Sequence, residues 1–173
     1  MNAAVEISAG RFDFDTFFQA NYGRIAHAIA RIVGDHARAE DLAAEAFWKL
    51  WRTPKAQGEN AGGWVYTAAI RLGLNELRGS ARRRKYEAEA GPAIAARTPE
   101  QERAAAEQRE HVRRILAKLD ARDAELLLLR GADFSYAEIA GALDINPASV
   151  GTLLSRAQQA FRKEYVRNYG EPG

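Results

Sequence analysis

The chain has 173 residues, room for one compact domain or two small ones, with 47% hydrophobic residues for a core and 28% charged residues for a solvated surface. It has no cysteine, which excludes disulfides, thiolate nucleophiles and cysteine zinc sites together and fits a reducing cytoplasm. The net charge of +2 permits a nucleic-acid partner without arguing for one; no apolar run approaches the roughly 20 residues that a membrane helix needs, and "MNAAVEISAGRFDFD" lacks the basic-then-apolar order of a secretory signal.

Helical periodicity runs through almost the whole chain, and sustained strand alternation and Asn-Gly or Asp-Gly hairpins are missing. Phe18, Tyr22, Ile25, Ile29 and Ile32 step by four, three, four and three, one apolar stripe. Gly34 ends that helix and Asp35 caps the next, "HARAEDLAAEAFWKLW", with Leu42, Ala43, Ala46, Phe47 and Leu50 inward. "RTPKAQGENAGG" reads as a loop, and a third helix follows from about Trp64 into "RGSARRRKY". "EAEAGPAIAART" has no stripe and reads as a linker. Thr98 is then expected to cap a helix, with Pro99 in its first turn and Gln101 at the capping-box position. "RDAELLLLR" gives a short helix closed by Gly131, and Ser135 with Glu138 forms a second capping box.

The stretch "SYAEIAGALDINPASVGTLLSRAQQAFRK" holds two helical patterns separated only by "DIN". A helix-turn-helix requires such a break, because its second helix must be presented outward at a steep angle. Ala140 is small where the helices pack, Asp144 tolerates a left-handed backbone, Asn146 caps the second helix and Pro147 opens it. Ile139, Leu143, Ile145, Val150 and Leu154 supply the small core. No acid occurs from Pro147 through Lys163, as a helix facing phosphate requires. A plain helical hairpin inside a bundle is the other reading of this stretch alone. The expected architecture is all-α: residues 12–86 and 99–166 as two small helical domains, the second containing the helix-turn-helix, joined by a flexible linker at 87–98, with a flexible N-terminus at 1–11 and a tail at 167–173. No further C-terminal domain is expected.

Two longer segments carry a family resemblance. "ARAEDLAAEAFWKLW" followed by "WVYTAAIRLGLNELRGSARRR" resembles the second conserved region of extracytoplasmic-function (ECF) sigma factors, and "LDARDAELLLLRGADFSYAEIAGALDINPASVGTLLSRAQQAFRK" resembles their fourth. With the first helix, the likeness covers Phe12 to Lys163. It implies a protein that binds core RNA polymerase, selects a promoter and opens it. The first domain would dock on the clamp helices of the β′ subunit and read the minus-ten element, and the second would read the minus-thirty-five element as duplex; the β subunit is implied as a partner as well. An anti-sigma factor is a further implied partner.

Asp41 and Glu45 share one helix face with Glu40 beside them, a surface suited to a basic partner, although charge alone does not separate it from a plain solvated face. Arg71, Asn75, Arg78 and Arg82 form one polar stripe, extended by Arg83, Arg84 and Lys85. Between Arg71 and Lys85 there are six bases against one acid, Glu76, an electrostatic track for a phosphate backbone. The resemblance implies that the loop from Thr53 to Gly63, with Lys55 and Asn60, holds a base pulled out of the stack. In the reading helix, contacts are expected from Ser149, Thr152, Ser155 and Arg156. Trp48, Trp51 and Trp64 could stack on bases, but Trp51 and Trp64 are expected in the core. His27, His36 and His111 match no ligand spacing, and no nucleophile has a base nearby, so neither metal, cofactor nor enzyme activity is expected.

The chain departs from the family pattern at five positions. Ala44 stands for a glutamine, Arg71 for an asparagine, Asn75 for an aspartate, Gly151 for a lysine and Leu153 for an arginine. Two other readings therefore stand beside the sigma factor: a sigma-like adaptor or decoy that titrates a regulatory partner, and a free-standing helix-turn-helix repressor.

Overall fold

The periodic apolar positions become seven α-helices, with no strand among the described residues. The computed structural model describes residues 11–88 and 99–171. The expected N-terminal segment before residue 11, most of the linker and Thr98 lie outside them. No described helix is long and apolar enough to cross a membrane.

Local chemistry sets the ends of the first helices. Helix α1 (Phe14–Val33) starts where the Asp13 carboxylate accepts from the Thr16 amide at 3.1 Å. It stops at Gly34, whose φ of 76° is left-handed and whose N–H donates to the Ala30 carbonyl. Asp35 at once caps α2 (His36–Trp51) through the Arg38 amide. A short 3-10 turn at Pro54–Ala56 leads to α3 (Ala61–Ala88), which begins before the expected Trp64, and its first residue, Ala61, is fully buried. Ile25, Ile29, Leu42, Phe47, Leu50, Val65, Ile70 and Leu74 form the core of this three-helix group. Phe47 is its centre, ringed by Phe14, Phe17, Phe18 and Tyr22. A Cβ at Gly73 would lie 3.3 Å from Ile32, so the glycine lets α1 and α3 approach closely.

The second group holds α4 (Glu100–Lys118), α5 (Ala121–Gly131), α6 (Tyr136–Leu143) and α7 (Val150–Tyr169), with a 3-10 turn at Pro147–Ser149 before the last. Pro99 occupies the N-cap of α4 and gives no side-chain cap, in place of the expected Pro99 in the first turn. Helix α6 opens with the full Ser135–Glu138 capping box. It ends at Asp144, φ 53° and ψ 54°, the left-handed turn foreseen from the sequence. Asn146 then accepts from the Ala148 amide at 2.9 Å. Ile139, Leu143, Val150 and Leu154 are buried between the two helices and Ile145 is half-buried. Helix α7 runs on through the expected tail to Tyr169, because Tyr169 stacks on His111 of α4 at 3.7 Å and holds the last turn against the bundle.

Helix α3 joins the two groups. One side packs on α1 and α2, and another meets α4, α5 and α6.

The left-handed turn at Asp144 sets the angle between α6 and α7. A left-handed backbone costs any Cβ-bearing residue about 1–2 kcal/mol, and aspartate tolerates it better than a β-branched residue does. Asp144→Val should therefore lower the urea-unfolding free energy, and Asp144→Gly should leave it unchanged or raise it.

Candidate polymerase and nucleic-acid interface

Helix α2 turns one face to the core and another to water. Glu40, Asp41 and Glu45 all lie on the wet face. Asp41 has Arg38 at 3.9 Å and Glu45 has Lys49 at 3.6 Å, both exposed pairs within one helix. Such pairs are weak and readily exchanged, so both carboxylates remain available. The negative potential of Glu40 and Asp41 reaches Tyr22, whose hydroxyl is held above the ordinary tyrosine range, first by burial and then by these two carboxylates. The same ridge continues to Trp48 and Trp51, 55% and 54% exposed, with ring centroids 5.2 Å apart and the Arg52 guanidinium 5.8 Å from the Trp48 ring. The expectation of a core Trp51 is corrected: Phe47 and Leu50 take the inward positions, which leaves Trp51 outside beside Trp48. Trp64 is half-buried and packs against the core.

The Gln57 side-chain amide donates to the carbonyls of Leu50 and Trp51 and folds the following loop back on α2. Lys55 and Asn60 are exposed on this loop and line a cavity of about 580 Å³. Its far wall is Phe134, Gly141 and Ala142 of the second group.

The basic stripe of α3 does not lie open along its whole length. Arg71 donates from Nε to Glu125 Oε1 at 2.8 Å and from Nη2 to Oε2 at 3.4 Å. Arg78 donates to the Leu119 carbonyl at 3.0 Å, and Arg84 pairs with Glu110. All three acceptors belong to the second group. Arg83 turns to Glu76 at 3.4 Å, whereas Asn75 and Arg82 are exposed. Glu76 also accepts from Arg38 at 3.1 Å, and its carboxyl is held below the usual glutamate range, first by that hydrogen bond and then by the charges of Arg38 and Arg83.

On α7 and the turn before it, Ser149, Thr152, Ser155 and Arg156 are all exposed, and Gly151 and Leu153 are half-buried. Two neighbours were missed in the sequence. Tyr136, 48% exposed, places its ring edge where a Cβ on Gly151 would lie 3.4 Å away, and Arg130 stands 5.8 Å from that ring. The signal available was Tyr136 at the first position of a polar-capped helix, where an aromatic has no core to enter.

Two family models match the chain, Sigma-70 region 2 over residues 17–83 and Sigma-70, region 4 over residues 109–160. The chain belongs to the sigma-70 family. The ECF resemblance read from the residues is thereby borne out, and the all-α fold with it. Among similar proteins, the ECF RNA polymerase sigma factor SigJ of Mycobacterium tuberculosis (strain ATCC 25618 / H37Rv) is 28% identical over 169 residues, covering 90% of this chain and 52% of the relative. This sigma-70 chain thus spans about half the length of the curated relative it matches. A similar fold occurs in the sigma factor RpoE of Bartonella quintana, solved in complex with the anti-sigma factor NepR, with a TM-score of 0.50 and 21% identity over 91% of this chain and 98% of that one. In this family's terms, region 2 comprises α1 to α3, and region 4 contains the helix-turn-helix.

Two outcomes follow. Glu76 has a folded pKa below its unfolded one, so its contribution to stability is present above about pH 4.3, the ordinary glutamate value, and is lost as pH falls through the lowered value. Urea unfolding over a pH series should show this acid limb, and Glu76→Gln should flatten it. Gly151 weakens its helix by roughly 1 kcal/mol relative to alanine, and a side chain there fits if the Tyr136 ring turns slightly. Gly151→Lys should therefore raise the urea-unfolding free energy by no more than about that amount, and a loss of stability would show that the Tyr136 ring does not turn to admit the side chain.

Proposed function

We propose that this chain is an alternative sigma factor of the ECF type: a cytoplasmic protein, not an enzyme, that binds core RNA polymerase and directs promoter recognition and initiation. One observation carries the reading. A single chain joins an exposed acidic face on α2 to a helix-turn-helix whose reading face is polar, exposed and free of acids. The first suits the basic surface of clamp helices, and the second suits duplex DNA. A repressor needs only the second, so the acidic ridge with its exposed tryptophan pair favours the sigma reading over that one.

In this account residues 12–86 work as region 2 and residues 99–166 as region 4. Glu40, Asp41 and Glu45 dock on polymerase. Lys55, Asn60, Arg71, Asn75, Arg78, Arg82, Arg83 and Arg84 serve the minus-ten side of the promoter. Ser149, Thr152, Ser155 and Arg156 read the minus-thirty-five side, where few charges are available and hydroxyl hydrogen bonds carry the contact. An anti-sigma factor is a further proposed partner. A cleft of about 850 Å³ between α1 and helices α4 and α5 has Arg24, Arg31, Arg109 and Arg113 around an apolar floor, which suits an acidic amphipathic helix.

Run-off transcription with core polymerase on the DNA upstream of the protein's own gene tests the proposal, and product above the level of core alone is expected. Asp41→Lys with Glu45→Lys should reduce binding to core polymerase at least tenfold while leaving the helical circular-dichroism spectrum intact, since both positions are exposed. Unchanged binding would remove the docking assignment. Tight core binding without any transcript would favour the adaptor or decoy.

A further inference from the structure

The outward side of α2 combines features that no contact within the chain uses. Asp41, Ala44, Glu45, Trp48 and Arg52 are exposed and share one stripe of the helix, opposite the buried Ala39, Leu42, Ala46 and Leu50. The middle of this ridge is apolar: Trp48 and Trp51 stack on each other while each stays more than half exposed. A paired aromatic surface of this size left in water marks a site of association. The two ends carry opposite charge, with Glu40, Asp41 and Glu45 on the N-terminal half and Lys49 and Arg52 on the C-terminal half. Arg38 departs from this order in position only, because its closest carboxylate is Glu76 of α3 at 3.1 Å. The Arg52 guanidinium lies over the Trp48 ring rather than on a carboxylate, and the contact of Asp41 with Arg38 is exposed and 3.9 Å long. Asp41 and Arg52 are therefore both open to a stronger partner.

A ridge that is acidic at one end, aromatic in the middle and basic at the other is complementary to its own reverse. We propose that it pairs with the same ridge of a second copy of this chain, the two α2 helices running antiparallel about a two-fold axis near Ala46. With the axis there, Asp41 of each copy comes across from Arg52 of the other to within a residue of register, and each Trp48 lies over the other copy's Ala44. The family pattern has a glutamine at position 44, and alanine leaves room there for an indole ring. The pair covers Asp41 and Glu45, so self-pairing and polymerase capture exclude each other; this competition, unlike the pairing itself, rests on the docking reading above. With 16 residues α2 is about 24 Å long, too short for one face to bury the roughly 800 Å² per partner of a standard interface. Pairing is thus weak and set by concentration: abundant free chain stores itself as dimers, and scarce chain is left to polymerase.

Sedimentation velocity of the full-length chain, from nanomolar to about 100 μM, should show the mass move from monomer toward dimer. Tryptophan emission should shift to the blue over the same range as Trp48 and Trp51 leave water. Asp41→Arg and Arg52→Asp, each alone, set like charges against each other at both crossings and should weaken pairing roughly tenfold. Mixed in equal amounts, the two variants meet opposite charges at both crossings, so the mixture should recover the dimer. Trp48→Ala should weaken pairing with the helical circular-dichroism spectrum intact, since the side chain is exposed. A chain that stays monomeric throughout overturns the proposal and leaves the tryptophan pair to polymerase alone. Dimers indifferent to all three substitutions overturn α2 as the interface, and a mixture that does not recover overturns the antiparallel arrangement. Core polymerase should take up single chains, and a dimer bound intact overturns the competition. Polymerase binding by the variant with Asp41→Lys and Glu45→Lys, measured where the parent chain is monomeric, decides the docking reading separately, so either reading can fail alone.

Discussion

A carboxylate in a leucine-rich helix constrains everything packed around it. Glu125 is flanked by buried Ala124 and Leu126, and one turn later by buried Leu129. Desolvating it without a cation would be unfavourable by several kcal/mol, and the cation comes chiefly from another domain. Arg71 can supply it because α3 is long enough to serve two neighbourhoods, packing on α1 and α2 along one side and on the second domain along another. This pairing, continued along the helix by Arg78 and Arg84 and joined by the Phe134–Tyr66 contact, holds the domains against each other. Since Arg71 is itself half exposed, water screens the pair and keeps it from becoming permanent.

Polar contact between domains and polar contact with DNA draw on the same chemistry. A guanidinium that forks onto a carboxylate forks equally well onto a phosphate. The contacts that Arg71, Arg78 and Arg84 make with the second domain are therefore of the kind that the proposed DNA track would make with phosphate. By contrast the reading face of α7 is built from hydroxyls, one arginine and a glycine. Among the described residues no carboxylate pairs with it, and the structure leaves it exposed.

Most of the fold was legible because its signals are local. A stripe at helical spacing, an aspartate before a helix, a glycine after one, and the Ser135–Glu138 box each depend on residues within one or two turns, and each appears as read. The same holds for the acidic ridge, since Asp41 and Glu45 must share a face on any helix. What escaped was non-local. Trp51 reads as core by its side chain, yet exposure is decided by Phe47 and Leu50, which occupy the inward positions first. The basic stripe reads as a DNA surface because sequence gives charge but not the partner across the gap. A hint was present: Glu125 interrupts an otherwise apolar run at a position that faces inward with Ala124 and Leu129, and a buried acid asks where its cation is.

Helix α7 has 20 residues and so extends about 30 Å. Its two ends have different employment. The first turns carry the reading residues, and the last carry Tyr165 and Tyr169, which sit against His111 of α4. The reading helix is thereby clamped at its far end to the helix through which the chain enters this domain. Its near half is held as well, where Val150, Leu154 and Ala157 are buried, so α4 and α7 move as one body and the tip of α7 keeps a fixed angle to the helix through which the chain enters the domain.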